Sequence, residues 1–283
     1  MTSFDERRLG RSGAAFAAAS AAGRAALVGY LPVGFPDVPT SVEAMVALTE
    51  GTDGTGCDVV EIGIPYTDPV MDGVAIQRAG TAALERGVHT RDVFPAVSAV
   101  AATGTPALVM TYWNLIERYG VRAFARDFAA AGGAGLITPD LTPDEADEWC
   151  AASDEYDLDR IFLVAPSSTD ERLATTVRAC RGWVYATAVM GVTGARTETS
   201  DAAPRLVSRI RTLGAGLPVG VGLGVSNGDQ AACVGATADG VIVGSALVST
   251  LLAAEAAGTP GDLGALRSLV ADLASGVRRA ERA

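Results

Sequence analysis

The sequence has 283 residues, no lysine and a single histidine, His89. All 22 of its basic residues are therefore arginines. Schiff-base chemistry and the anchoring of pyridoxal phosphate both require a lysine amine and are excluded. Metal sites built from several histidines are excluded as well. Acid–base chemistry must depend mainly on carboxylates, tyrosines or thiols, and we expect neither a cofactor nor a metal.

Positive charge is also scarce. The 22 basic residues face 33 acidic ones, and the formal net charge is −11. This balance disfavours binding to nucleic acids, which requires a basic face, and docking on anionic membranes. A small phosphorylated ligand remains compatible with it, because backbone N–H groups bind phosphate without basic side chains.

Cysteines are few and long apolar runs are missing. The four cysteines (Cys57, Cys150, Cys180 and Cys233) form no C-x-x-C pair, so neither a disulfide framework nor a zinc site is indicated. No uncharged apolar run reaches 18 residues, and Arg24 interrupts the apolar N-terminal stretch, unlike a secretory signal. We expect a cytoplasmic protein that begins with an amphipathic helix.

Short apolar runs alternate with longer alanine-rich segments along the whole chain, and this alternation predicts eight strands and the helices between them. The predicted strands are Ala26–Val33, Val59–Ile64, Ala107–Met110, Gly135–Ile137, Ile161–Val164, Trp183–Ala186, Pro218–Val221 and Gly240–Val243. The predicted helices are Val38–Leu48, Arg91–Ala102, Val121–Ala131, Pro143–Ala152, Glu171–Arg181, Asp201–Thr212, Asn227–Val234 and Leu263–Arg279.

Eight strand–helix units favour a closed (β/α)₈ barrel with an extra N-terminal helix. Several strands are apolar on successive residues, as expected for a parallel sheet covered on both faces. An open doubly wound sheet is the alternative, but it usually has fewer strands and would need a domain break that the sequence does not show. We therefore predict one catalytic domain over 1–283, with its chemistry on the loops after the strand C-termini.

A carboxylate inside the second predicted strand is the first candidate for catalysis. Glu61 stands between Val60 and Ile62, where an unpaired charge is costly, so its pKa should rise towards neutrality. A carboxyl with such a pKa can act as both acid and base near pH 7. From the local run alone, a buried Glu paired with an arginine is an equally good interpretation. The turn-rich loop that follows carries Asp68 and Asp72, and Asp72 could fold back across the same pocket.

Three glycine-rich segments follow the sixth, seventh and eighth predicted strands: MGVTGAR (Met190–Arg196), GVGLGVSN (Gly220–Asn227) and VIVGSAL (Val241–Leu247). Glycine lets backbone N–H groups approach phosphate oxygens closely. Capture of phosphate after strands 7 and 8 is common in this barrel class. The last two segments, with Ser245 in the final turn, therefore predict a phosphate site.

The stretch DVVEIGIPYTDPVMDGVAIQRA (Asp58–Ala79) resembles the signature of tryptophan synthase α subunits. That signature has a strand ending in Glu, a Pro-x-x-Asp-Pro loop, and then Asp-Gly before a helix, which here would open at Ile76-Gln77. The likeness continues through LVGYLPVGFPD, VMTYWN, PDL and the three glycine-rich segments. It runs in order from about Ala26 to Leu247, nearly the whole predicted barrel.

The resemblance implies a lyase of tryptophan biosynthesis that splits indole-3-glycerol phosphate into indole and glyceraldehyde 3-phosphate. Glu61 would protonate C3 of the indole ring and accept the proton of the substrate hydroxyl. Asp72 would accept a hydrogen bond from the indole N–H and stabilise the positive charge that develops on the ring. This retro-aldol chemistry needs neither lysine nor metal.

The resemblance also implies substrate contacts and a partner. The segment Thr187–Ser200 would form a lid over the site, and the partner would be the tryptophan synthase β subunit, in an αββα complex. The implied substrate-binding residues are Tyr185, Asp140, Thr193, Gly194, Gly224, Gly244 and Ser245. Of these, the implied phosphate contacts are Gly194, Gly224, Gly244 and Ser245. The implied partner contacts are Asp68, Pro69, Tyr112 and Asn114.

Three positions depart from the family pattern. Val74 and Thr142 stand where proline is usual, and Phe35 replaces an acidic or small residue. These changes bear on loop stiffness and docking, while both carboxylates are kept. The alternatives are a stand-alone indole-producing lyase, a catalytically silent activating subunit, and a phosphosugar isomerase on the same barrel. The isomerase is disfavoured because some of these enzymes need an acid at the end of strand 1, where this chain has none.

Overall fold

A computed structural model describes residues 4–52, 55–187, 202–213, 216–222 and 224–281. Eight parallel strands close into a barrel in which each strand pairs with its neighbours in the sequence and β8 pairs with β1. The strands are β1 Ala26–Pro32, β2 Val59–Gly63, β3 Ala107–Met110, β4 Gly135–Thr138, β5 Asp159–Val164, β6 Val184–Thr187, β7 Val219–Gly222 and β8 Gly240–Val243. The predicted (β/α)₈ barrel is confirmed.

Helices cover the outside of the barrel. They are α1 Gly10–Ala21, α2 Val38–Glu50, α3 Val74–Glu85, α4 Val93–Ala102, α5 Trp113–Tyr119, α6 Val121–Ala130, α7 Asp147–Glu155, α8 Asp170–Ala179, α9 Ala202–Thr212, α10 Gly228–Gly235, α11 Ser245–Ala256 and α12 Gly264–Arg279. Within the described ranges, no helix is long and apolar enough to cross a membrane.

The following are the main differences between the predicted and the observed helices. The start of α3 at Val74 is two residues earlier than expected. The helix predicted from Pro143 begins as a separate 3₁₀ turn, Pro143–Glu145, before α7. Helix α5 was missed because its seven residues are too few for the 3.6-residue periodicity to show, and Gly120, at φ +95°, separates it from α6.

Aromatic rings fill the barrel interior from its N-terminal end. Phe16 of α1 stacks on Trp183 with 4.9 Å between ring centroids, and Trp183 stacks on Tyr185 at 5.5 Å. Helix α1 therefore closes the bottom of the barrel, and the stack leads upward to the ends of the strands where chemistry is expected.

Glycines of β7 make room for this stack. A Cβ at Gly220 would lie 2.7 Å from the Trp183 ring, and one at Gly222 would lie 2.8 Å from the Tyr185 hydroxyl. Real Cβ atoms do not approach so closely, so both positions must be glycine for the rings to fit. The first half of the segment GVGLGVSN is thus explained by packing inside the barrel.

Candidate active site

Glu61 lies on the inner face of β2. Val59, two residues earlier, belongs to the interior cluster, and side chains two apart in a strand share a face. The Glu61 side chain is 1% exposed, and neither of its carboxyl oxygens has a hydrogen-bond partner among the described residues. Burial, with a smaller contribution from the negative charge of Asp72, raises its pKa from 4.5 to about 8. Glu61 is therefore not paired with any arginine of the described residues.

Asp72 reaches the same pocket from the loop after β2. Its carboxylate accepts a hydrogen bond of 3.4 Å from the Tyr112 hydroxyl, and its backbone carbonyl accepts one of 2.8 Å from the Gln77 side-chain amide. Burial raises the pKa of Asp72 to about 6, against the opposing effect of the Tyr112 hydrogen bond. Near pH 7 the pocket therefore holds a protonated Glu61 beside an ionised Asp72, as acid–base division of labour requires.

Two tyrosines flank this pair. Tyr30 is the cross-strand neighbour of Glu61, and Tyr185 comes from β6 on the far side of the barrel. Burial raises the pKa of both phenols well above the ordinary value, and the charges of Asp72 and Glu61 raise it further. The predicted position of Tyr185 in the pocket agrees with this arrangement.

Tyr30 was not among the predicted site residues. A signal was present in the sequence, because Tyr30 is the only residue of the first predicted strand, Ala26–Val33, that carries a side-chain hydroxyl. The sequence does not show whether the Tyr30 side chain points into or out of the barrel, because a strand that is apolar throughout has no alternation of inner and outer positions.

The glycine predicted for phosphate after β8 lies next to this pocket. Gly244 is the N-cap of α11, and Ser245 is the first residue of that twelve-residue helix. A Cβ at Gly244 would be 3.4 Å from the Tyr30 ring and 3.5 Å from Ile76. The start of α11 and the carboxylates are therefore connected by one side chain, Tyr30.

Gly224, after β7, is exposed and has φ +72°, a conformation that favours glycine. A Cβ there would meet no atom of the described residues within 4 Å. The other two predicted contacts from this end of the chain, Thr193 and Gly194, lie outside the described residues, as does the lid segment beyond Thr187.

Asp140 has a different environment from the one expected. It is exposed, and both of its carboxylate oxygens accept the Trp113 N–H, at 2.9 and 3.1 Å. A carboxylate at the first residue of α5 is favoured by the helix dipole. The contacts of Asp140 therefore position the start of α5, and its contact with substrate stays a prediction.

The residues predicted to meet a partner differ in exposure. Asp68 and Asn114 are exposed, and Pro69 is half-buried. Tyr112 is 5% exposed, because its ring stacks on Tyr66 at 4.7 Å and its hydroxyl points to Asp72. The prediction of Tyr112 as a surface contact therefore needs correction, since it lies beneath the surface.

No group of three His, Cys, Asp or Glu side chains suited to a metal ion occurs in the part of the chain that the structure describes. Glu61 and Asp72 lie near two tyrosines, and the N-terminus of α11, capped by Gly244, lies next to them. Side chains and a helix end of these kinds can act as an acid, a base and an anion site.

Known proteins resemble this chain in sequence and in fold. A family model described as tryptophan synthase alpha chain matches residues 16–274. The chain is 61% identical over 269 residues to the tryptophan synthase alpha chain of Mycobacterium avium, covering 95% of both chains. It is similar to a chain in a Mycobacterium tuberculosis tryptophan synthase structure, with 58% identity, a TM-score of 0.87, and coverage of 95% and 98% of the two chains. A Legionella pneumophila tryptophan synthase subunit alpha is 32% identical, with a TM-score of 0.79 and coverage of 96% and 98%.

The chain belongs to the tryptophan synthase α chain family. Membership gives it the α-subunit role in tryptophan biosynthesis and the lyase reaction of that family, cleavage of indole-3-glycerol phosphate. The family identification and the reaction expected from the sequence are both confirmed.

The departures from the pattern of tryptophan synthase α chains leave the pocket in place. Helix α3 begins at Val74 without a proline, with Gly73 as its N-cap. Thr142 is the N-cap of the short 3₁₀ turn that Pro143 begins. Phe35 is fully buried, and the Arg86 guanidinium lies 5.5 Å above its ring. All three changes are at loop ends and none replaces a residue beside the carboxylates.

Proposed function

We propose that Glu61 and Asp72 carry out the cleavage of indole-3-glycerol phosphate in this pocket. The observation that carries the proposal is the environment of Glu61. Its two oxygens are buried without a hydrogen-bond partner among the described residues, beside an ionised carboxylate. A buried polar group without a partner is costly, so a native protein keeps one where a ligand or a reaction uses it.

Proton transfer by Glu61 accounts for the whole reaction. With a pKa of about 8, Glu61 is protonated at pH 7 and donates its proton to C3 of the indole ring. The resulting carboxylate accepts the proton of the substrate hydroxyl, the bond between the ring and the glycerol carbon breaks, and its electrons return to the ring. The products are indole and glyceraldehyde 3-phosphate, and Glu61 ends protonated as it began.

Asp72 stabilises the charge that this proton transfer creates. Protonation at C3 gives the indole ring a positive charge, and an ionised Asp72 that accepts the ring N–H is most favourable at that moment. A pKa of about 6 keeps Asp72 ionised at neutral pH. Tyr185 and Tyr30 supply the flat walls that hold the ring between the two carboxylates.

The phosphate of the substrate binds where α11 begins. Helix N-termini present free N–H groups and a positive dipole end to an anion. Gly244 lets the phosphate approach the backbone closely, and Ser245 adds a hydroxyl. Gly224 contributes its backbone from the segment after β7, and Thr193 and Gly194 are the contacts from the lid. The Tyr30 ring lies beside Gly244, so the glycerol chain runs past it between the phosphate and the carboxylates.

The chain binds a tryptophan synthase β subunit through the loop after β2. Large apolar side chains are exposed on this loop and at the first residue of α3: Val70 is 74%, Met71 39% and Val74 64% exposed. A patch of this kind is typical of a protein contact. Asp68 and Pro69 lie on the same loop, and the exposed Asn114 extends the contact to α5. Docking against a partner keeps apolar indole from diffusing away, and closure of the lid on docking would activate the lyase.

We further propose that the whole chain acts as one catalytic domain in the cytoplasm. Its four cysteines are free, which suits a reducing compartment.

The test is an indole assay with indole-3-glycerol phosphate, with and without the β subunit of the same genome, together with calorimetry of the two subunits. We expect indole release by the chain alone, binding at micromolar or tighter concentration, and a faster rate in the complex. No binding at tens of micromolar would leave a stand-alone lyase, and no indole under either condition would refute the proposed reaction.

A further inference from the structure

We propose that Tyr112 is a positioning residue whose hydroxyl holds Asp72 and the adjoining loop in the catalytic arrangement. This inference rests on the proposed role of Asp72. Sequence reasoning had placed Tyr112 on the partner-facing surface, whereas the structure places it between that surface and the carboxylate.

The Tyr112 hydroxyl makes two contacts with consecutive residues of the loop. It accepts a hydrogen bond of 3.0 Å from the Met71 N–H and donates one of 3.4 Å to a carboxylate oxygen of Asp72. One hydroxyl thus fixes the backbone at Met71 and the side chain at Asp72. A carboxylate held by a hydroxyl donor stays ionised more readily.

Tyr112 is itself held firmly. It follows β3 directly and is buried, and its ring stacks on Tyr66. The next residue, Trp113, has its N–H held by both oxygens of Asp140. By accepting the Trp113 N–H, Asp140 fixes the backbone next to Tyr112 and so contributes to the position of Tyr112.

The loop that Tyr112 holds is also the loop with exposed apolar side chains. Val70 and Met71 direct their side chains outward, while the Met71 N–H is bound from inside. A protein that covers these side chains contacts the same loop whose backbone Tyr112 holds at Met71. Tyr112 therefore couples the partner-facing loop to Asp72 through two hydrogen bonds of one group.

The test replaces the hydroxyl alone. Tyr112→Phe keeps the ring stacked on Tyr66 and removes both hydrogen bonds. The matched control is Tyr119→Phe at the other end of α5, where the hydroxyl bonds to Asp127, away from the pocket. Steady-state kcat and KM for indole-3-glycerol phosphate are measured on the isolated chain from pH 5.5 to 8.5, and circular dichroism confirms folding of each variant.

We expect Tyr112→Phe to lower kcat at pH 7 by roughly tenfold, the effect of losing a hydrogen bond to a charged group. KM should stay within about twofold, because the phosphate contacts after β8 are untouched. The acid limb of kcat/KM should move to higher pH, because Asp72 loses a donor that favours its ionised form. The groups facing Asp72 are Glu61, Tyr30, Tyr112 and Tyr185, and only Tyr112 is changed.

A double-mutant cycle gives an independent readout. If Tyr112 acts through Asp72, Tyr112→Phe should lower the residual kcat of Asp72→Ala by less than about twofold. Unchanged kcat and acid limb in Tyr112→Phe, or an equal loss in Tyr119→Phe, would overturn the inference even if the wild-type chain is active. Failure of the wild-type chain to release indole would instead refute the proposed function.

Discussion

Replacing Glu61 by Gln should make the free energy of unfolding, relative to the wild-type chain, increase with pH. The folded state raises the pKa of Glu61 from 4.5 to about 8, so it prefers the protonated form. The contribution of this group to stability is fully present below pH 4.5 and is lost as pH rises through about 8. A glutamine does not ionise, so the variant escapes this loss.

The magnitude follows from the two pKa values. Each pH unit between them costs about 1.4 kcal/mol in the free energy of unfolding. The wild-type chain should lose about 1 kcal/mol by pH 5 and about 3 kcal/mol by pH 7, approaching about 5 kcal/mol above pH 9. Glu61 is buried, so solvent does not reduce this cost. The buried amide of the variant lowers its free energy of unfolding by about 1–3 kcal/mol, and this cost is the same at every pH.

The assay is urea unfolding of both chains at pH 5, 6 and 7, followed by circular dichroism. The free energy of unfolding of Glu61→Gln minus that of the wild-type chain should increase by about 2 kcal/mol between pH 5 and pH 7. The control is Glu43→Gln on the exposed face of α2, which should show no such growth. A constant difference between Glu61→Gln and wild type across this range would refute the raised pKa and the mechanism built on it.

Three further expectations concern the site. Asp72→Asn should lower kcat by roughly 10²-fold with KM changed by only a few-fold, measured by indole release, and an unaltered kcat would count against its role. Gly244→Asp should raise KM at least tenfold by placing a charge beside the phosphate, and it should raise KM more than Gly244→Ala, which adds a methyl group without charge; equal KM values for the two variants would place the phosphate elsewhere. The plot of kcat/KM against pH should be bell-shaped, falling below about 6 as Asp72 is protonated and above about 8 as Glu61 ionises. A flat profile between pH 5 and pH 9 would exclude both assignments.

Much of the barrel could be predicted because each strand is a short apolar run covered on both faces. The bounds of β3 and β8 agree with prediction to the residue. Glu61 could be found because a carboxyl in such a run stands out by its cost. What the sequence does not show is which way a side chain faces within a uniformly apolar strand, and this hid Tyr30.

Contacts between loops that are distant in the sequence also could not be predicted. The burial of Tyr112 depends on the ring of Tyr66 and on the path of the loop to Asp72, 40 residues away. The capping of α5 by Asp140 joins residues 27 apart. Neither contact is set by local propensity, so the motif alone does not show that Tyr112 is buried or that Asp140 caps α5.

Single-turnover cleavage of indole-3-glycerol phosphate by the wild-type chain and by folded Glu61→Gln at pH 7 tests the central claim most directly. Removal of a general acid–base usually costs on the order of 10²–10⁴ in rate. Because one carboxyl serves both proton transfers here, we predict that the variant binds substrate but releases indole at least about 10³-fold more slowly. Release of indole by Glu61→Gln at a rate near that of the wild-type chain would contradict the account.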